Sequence, residues 1–456
     1  LLGYRLDPVS SLLQPVLLTV GVAGSVHLVQ AFRRRCRQGA QVWLALREAW
    51  HEIAFPALLT VVTTIAGFLA LGVHSIPAVR RFGILAAAGV ALAAVLTVLA
   101  GSAWLIVLPA SVGSGRSEGS PYRWTAPAKW LSAHRRGVLL VFALLSVTAA
   151  TQWTRLQVDT DPVAVLPASS AFRQDFRRLT DQLGGVEVFG LLVPAKDHER
   201  VAALRKVLID QPQVVDVVDE QQAASGETLL TAVIAPASTA RRRELFDAVD
   251  GAAAAVGSPG SRAVGTVVRV ARDSQRLVHD QLLASLLTVL VLLLATLWAS
   301  RRPLLALVGT IPNLVPGIVV YGALAALGRP VSVATAMIAS VMLGLVVDDT
   351  LHFLVRFVRA RRAELSVAAA IAEAMTTAGA PIVFTSLVLS AGFAVPLAFG
   401  TLITTREFGA LAVATILLAL LADLILLPAL LLFAGQWASK VSPVSRAQGR
   451  GAGESP

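Results

Sequence analysis

The chain has 456 residues, 55% hydrophobic and 15% charged, with a mean hydropathy of +0.71; that composition excludes an ordinary water-soluble protein and places the chain in a bilayer. Its formal net charge of +11 would suit nucleic acid, but residues 154–278, the only long polar stretch, hold 15 Lys/Arg against 16 Asp/Glu. The other 24 basic residues face only 12 acidic ones and cluster beside apolar runs, so the excess is membrane topology and excludes a nucleic-acid partner.

A helix needs about 20 residues to cross a hydrocarbon core. In chain order the apolar runs predict spans near 10–30, 54–74, 83–110, 137–153, 279–299, 304–327, 333–357, 380–400 and 408–434, nine in all. If the first runs outside to inside, the loops Phe32–Trp50, Val112–Arg136, Arg301–Arg302, Arg356–Arg362 and the C-terminal tail are cytoplasmic, and they hold 19 of the 24 basic residues, as the positive-inside rule requires. Between spans, periodicity predicts a helix at Ala171–Leu183, a strand at Val186–Val193, a helix at Glu199–Ile209, strands at Val214–Val218 and Thr228–Ile234, and a helix at Arg241–Val256. This alternation suits a small α/β domain of ferredoxin-like character. The tail after Ser439 is polar and reads as disordered. Cys36, the only cysteine, excludes a disulfide framework.

Self-comparison exposes a duplication. His27 matches His352, Pro56 matches Pro381 and Gly67-Phe68 matches Gly392-Phe393, as Leu2-Gly3 matches Leu327-Gly328, all displaced by 325 positions; Phe82-Gly83 matches Phe408-Gly409 at 326. The copies have the same orientation, so the repeat is parallel about an axis normal to the membrane. The fold class expected is a polytopic α-helical membrane protein of two parallel-repeat helical halves with an inserted extracytoplasmic α/β domain. Residues 1–111 end a first half with three complete spans, 112–136 are a cytoplasmic linker and 137–153 the first span of the second half. The porter-like α/β domain takes 154–278, a five-span bundle 279–435 and a disordered cytoplasmic tail 436–456. The chain begins without Met inside a hydrophobic segment, and reads as the truncated remainder of roughly twelve spans.

Asp348 and Asp349 lie well inside a predicted span. An ionised carboxylate there costs at least about 2.5–3.5 kcal/mol, so two adjacent ones require a role. His352 follows four and three positions on, and the three could share one helix face as a proton relay; a structural alternative is that one Asp pairs with His352 or a backbone group to fix helix packing. The first copy has Ala23-Gly24-Ser25 where the second has Asp348-Asp349-Thr350, yet keeps His27, which would approach the Asp-bearing helix across the interface or serve as a satisfied core histidine. Thr385, Ser386 and Ser390, with Thr60, Thr63 and Thr64 in the first copy, could support the carboxylates, or bond their own backbone as membrane Ser and Thr commonly do. Pro312, Asn313 and Pro316 interrupt a span and predict a kink. Asp423, deep in the last span, is a secondary candidate. No nucleotide loop, metal-spaced His/Cys cluster or nucleophile elbow is visible, so neither cofactor nor metal is called for.

Gly344-Leu-Val-Val-Asp-Asp-Thr-Leu-His-Phe-Leu followed by Arg356 resembles the Gly-x-x-x-Asp signature of the resistance-nodulation-division superfamily, closest to its MMPL-like predicted exporters and the related sterol-sensing, Patched-like proteins. Asp161-Pro-Val-Ala-Val-Leu-Pro-Ala-Ser-Ser, Leu183-Gly-Gly-Val-Glu and Gly265-Thr-Val-Val resemble the start and the membrane return of that family's second outer domain. The resemblance implies a secondary transporter of the inner membrane, not an enzyme. It would run on proton antiport, with Asp348 and Asp349 as proton acceptors and a lipid or other hydrophobic molecule as cargo; a homo-oligomer or a periplasmic acceptor protein are possible partners. Many relatives carry an acidic residue in both halves, so the departure at Ala23-Gly24 speaks against a symmetric relay and leaves one confined to the second half. Two rivals remain: a sterol-sensing-type lipid-binding regulator without net transport, and an accessory subunit of protein translocation.

Overall fold

The structure, a computed structural model, describes residues 9–107, 122–159, 163–222 and 226–440. The Leu2-Gly3 match, Asp161-Pro162, the first part of the expected linker and the tail from 441 onward lie outside the described residues. Among those described, nine helical stretches are long and apolar enough to cross a membrane, the number read from the sequence.

The first half holds α1 (Leu13–Arg37), α2 (Val42–Ala70), α3 (Pro77–Leu96) and a short α4 (Ser102–Val107). Gly39, at a φ of +84°, turns the chain between α1 and α2. Pro77 opens α3, where its missing N–H costs nothing. A π-helical turn, Thr97–Gly101, joins α3 to α4. The α5 helix (Tyr122–Thr151) then crosses back, so residues 122–136, expected as linker, are its helical start.

The polar region begins with α6 (Ala171–Leu183), stopped by Gly184 in the left-handed conformation. It continues as β1 (Glu187–Val193), α7 (Val201–Ile209), β2 (Val214–Gln222), β3 (Thr228–Ile234), α8 (Thr239–Ala255) and β4 (Arg262–Val264). The sheet order is β2-β3-β1-β4 with every pairing antiparallel, which is the split βαβ arrangement of a ferredoxin-like fold. Strict alternation of burial along β3 gives the sheet one packed face, on which Phe189, Leu191 and Val193 meet Leu204 and Leu208 of α7 and Phe246 and Val249 of α8. Three-residue β4 was not foreseen; it is too short for a periodic signal.

From β4 the chain enters α9 (Thr266–Ser300) through a single residue, Gly265, followed by α10 (Pro303–Ala326), α11 (Val333–Arg362), α12 (Val367–Phe399), α13 (Ile403–Leu421), a second π turn (Ala422–Leu426) and α14 (Leu427–Lys440). A reciprocal capping box of Ser332 and Thr335 starts α11, and Ser366 caps α12. The predicted spans 54–74 and 380–400 extend backward because their amphipathic connectors carry no breaker, so each connector and span is one helix.

The duplication persists in three dimensions. The α1 and α11 helices end at Arg37 and Arg362, α2 and α12 begin at Val42 and Val367, and the π turns occupy Thr97–Gly101 and Ala422–Leu426, each pair 325 positions apart. The α11 helix is the hub: 89% of its most apolar window is buried among the described residues, against none of the window in α5.

Candidate functional site

Three consecutive residues of α11 reach three different neighbours. A helix turns about 100° per residue, so Asp348, Asp349 and Thr350 cannot share a face, and packing around α11 gives each its own partner element.

Asp348 faces the first half. His352 Nε2 lies 3.3 Å from Asp348 Oδ1 and His27 Nε2, on α1, lies 3.9 Å from Oδ2. The two imidazoles stack, centroids 4.0 Å apart and planes within 6°. Both histidines are buried, whereas Asp348 keeps 22% of its side chain exposed. That exposure opens onto a cavity of about 580 Å3 walled by apolar residues of α1, α2 and α3, with Thr60 and Thr64 among them. The structure thus brings His27 and His352 together from the two copies.

Asp349 turns away from that cavity. Thr385 Oγ1 donates to its Oδ1 at 2.9 Å and Ser386 Oγ to its Oδ2 at 3.1 Å, both from α12. The single relay stripe foreseen for Asp348, Asp349 and His352 is therefore two sites back to back: His352 stands one turn beyond Asp348 and lies beside that carboxylate, while Asp349 takes its donors from α12. Ser390, grouped with those donors, has a buried hydroxyl with no hydrogen-bond partner among the described residues. Thr60 and Thr63 bond their own helix carbonyls, the bland alternative for membrane threonines.

Thr350 leads to the third carboxylate. Its hydroxyl donates to Asp423 Oδ1 at 2.5 Å, and Asn313 Nδ2 donates to Thr350 Oγ1 at 3.1 Å and to the Gly309 carbonyl at 3.0 Å. Asp423 sits in the second π turn, where the widened ring aims the side chain inward. Asn313 is therefore a member of the polar network as well as a neighbour of Pro312 and Pro316. Sequence reasoning missed Thr350, since one threonine in a threonine-rich membrane chain carries no signal of its own.

The halves touch one turn before Asp348. A Cβ on Gly67 would lie 3.0 Å from the Gly344 Cα, and Thr64 Oγ1 donates across the junction to the Gly344 carbonyl at 2.8 Å. Gly344, the first residue of the Gly-x-x-x-Asp pattern, thus presents the bare backbone against which Gly67 packs.

Toward the Arg-rich ends, Pro381 lacks the N–H that would bond the Thr377 carbonyl, and Arg356 Nη1 donates to that carbonyl at 2.5 Å. Pro56 leaves the Glu52 carbonyl free in the same way, and Arg359 Nη1 donates to it at 3.1 Å. The Glu52 carboxylate meets Arg34, Arg35 and Arg356. At the other end Ser75 donates through its N–H and hydroxyl to Asp280 at 2.8 and 2.7 Å, and Gln281 donates to Ser340 on α11 at 2.8 Å, so α9 is pinned to both halves. Polar residues at the start of an apolar run were the available signal.

The arrangement holds three carboxylates within one helix bundle: Asp349 and Asp423 accept from hydroxyl groups, and Asp348 lies between two imidazole nitrogens. His27, Asp348 and His352 also offer donor atoms within 4.8 Å of one another, a set close enough to hold a cation that linear spacing could not reveal.

No curated protein sequence matches the chain. Among solved structures it is similar to SecDF, a translocon-associated membrane protein of Thermus thermophilus, with a TM-score of 0.63 and 18% identity over 96% of this chain and 56% of that one. SecDF in a super-membrane-facing form gives a TM-score of 0.59 at 18% identity, over 95% and 56%. The hedgehog release protein Disp of the water bear Hypsibius dujardini gives 0.71 at 15% identity, over 93% and 64%. These likenesses concern the fold, and the chain spans 56% to 64% of those proteins' lengths. The MMPL family profile matches residues 196–451, more than half of the chain, and with the duplicated bundle, the inserted ferredoxin-like sheet and the acidic α11 this protein belongs to the MMPL family.

Proposed function

We propose that the protein is a proton-motive-force-driven exporter of the inner membrane that moves a lipid or another hydrophobic or amphipathic molecule from or across the bilayer. The observation that carries this reading is Asp348: a carboxylate at bilayer depth, held between histidines from both halves and open to an apolar cavity of about 580 Å3. A charge so placed is costly to maintain, and changing it by a proton changes what the two halves gain from packing together. Asp349 and Asp423, on the other sides of α11, extend the same dependence to α12 and α13. The cavity is of a size and polarity that suit a hydrophobic ligand.

The test is reconstitution in proteoliposomes with an imposed proton gradient and a fluorescent lipid reporter. Asp348→Asn and Asp349→Asn are expected to fold with unchanged thermal stability yet lose most of the gradient-driven flux. Full proton-driven flux in the double variant sinks the proposal. A protein that binds lipid with no flux at any gradient favours the lipid-binding regulator, and crosslinking to nascent chains favours the translocation accessory that the SecDF-like fold brings to mind.

A further inference from the structure

The two Arg-rich mouths of the bundle differ. In the first half, Arg34 and Arg35 of α1 are met by Glu48 and Glu52 of α2, so these two guanidinium groups are paired with carboxylates. In the second half, a groove of about 820 Å3 is rimmed by Arg135, Arg301, Arg302, Arg361 and Arg362, and among the described residues no carboxylate lines it. None of these five guanidinium groups forms an ion pair among the described residues, and Arg135 Nε is buried with no hydrogen-bond partner there. Arg301 adopts a φ of +54° at the end of α9, a position that glycine or asparagine usually takes.

Below the arginines the groove is apolar. Leu305, Phe357, Leu431 and Leu432 form its walls, contributed by α10, α11 and α14. Topology alone requires positive charge near this surface, but it does not require charges from three separate chain segments to converge over one hydrophobic cleft. From this convergence we infer that the second-half groove is a binding site for an anionic phospholipid of the leaflet on the Arg-rich side.

The recognition follows from the chemistry. A phosphodiester accepts paired N–H bonds from a guanidinium fork, and the acyl chains lie along the leucine walls. The absence of a lining carboxylate leaves nothing to receive the ammonium of a zwitterionic headgroup, so net negative lipids are preferred. The site lies at the opposite end of α5 and α9 from the sheet and stands independently of the transport reading.

The experiment is native mass spectrometry of the full chain in mild detergent, exposed to equimolar phosphatidylglycerol and phosphatidylethanolamine with identical acyl chains. Wild-type protein is expected to retain phosphatidylglycerol at about fivefold or greater preference, falling toward parity in R301Q/R302Q/R361Q/R362Q and surviving in R80Q/R81Q, a control at the opposite end. The preference should also decline as ionic strength rises, which needs no variant to fold. Equal retention of both lipids by wild-type protein, an unchanged preference in the quadruple variant, indifference to salt, or displacement of the lipid by an equal concentration of glycerol phosphate would each overturn the inference.

Discussion

Asp348, Asp349 and Thr350 show how much one helical step decides. At about 100° per residue, adjacent side chains serve different neighbours, and the identity of those neighbours is a property of packing that linear sequence does not carry. Depth and rarity of charge made both carboxylates legible; their division between α1 and α12 was not, because His352 lies within reach of either by spacing alone. The consequence is testable on the donors. Thr385→Val removes one of the two hydroxyls on Asp349 and should lower gradient-driven flux several-fold and stability by about 1–3 kcal/mol, whereas Ser390→Ala, at a hydroxyl with no partner among the described residues, should leave both within error. Flux assays and thermal unfolding in detergent separate the two. The glycine contact is a second residue-scale matter. A methyl on Gly67 meets the Gly344 backbone at 3.0 Å while one on Gly344 meets Gly67 at 3.5 Å, so Gly67→Ala is expected to destabilise by about 1–3 kcal/mol and Gly344→Ala by less. A reversed order of unfolding temperatures would contradict the packing described.

At the scale of elements, the repeated prolines do the same thing twice. Pro56 and Pro381 each free a carbonyl one turn earlier, and each carbonyl takes an arginine from the end of α11, so the hub helix holds both halves through bonds that an unbroken helix would have kept to itself. The proline match was plain in the sequence; its purpose depended on which arginines arrive, and that is tertiary. Arg356→Met should cost about 1–3 kcal/mol by leaving the Thr377 carbonyl unsatisfied. In a Pro381→Ala background that carbonyl regains a main-chain donor, so the same substitution should cost less, and a double-mutant cycle on thermal unfolding should show a coupling of at least about 0.5 kcal/mol. Additive costs would mean that the arginine acts only through Glu52. Elements of the α/β region were the most legible, Ala171–Leu183 and Thr228–Ile234 agreeing to the residue, because clean amphipathic periods and turn residues bound them. Membrane helices were legible in number and blurred at their ends, where amphipathic connectors continue the same backbone hydrogen bonding.

At the scale of the whole molecule, the two halves differ in what they bring to their shared junction. The second supplies the carboxylates and the first a histidine, a cavity and a glycine against which α11 packs. The sheet rests on the bundle through a short parallel bridge between Val158 and Val331, a bond from the Ile403 N–H to the Val165 carbonyl, and α9. That helix has neither proline nor glycine, so nothing in it favours a bend. Inserting Gly-Gly between Arg276 and Leu277 should leave the sheet and the bundle folded, as judged by circular dichroism and lipid binding, while abolishing gradient-driven flux; retained flux would show that the joint is not needed.

An unbroken α9 of 35 residues is about 52 Å long. A stiff rod of that length converts angle into distance: a tilt of about 5° about one end displaces the other by roughly 4–5 Å, more than the width of a methylene chain. Ser340, bonded to Gln281 near the middle of the rod, sits two turns before Asp348, so a small rearrangement around the carboxylates is geared up at the sheet, and a load on the sheet is geared down at the carboxylates.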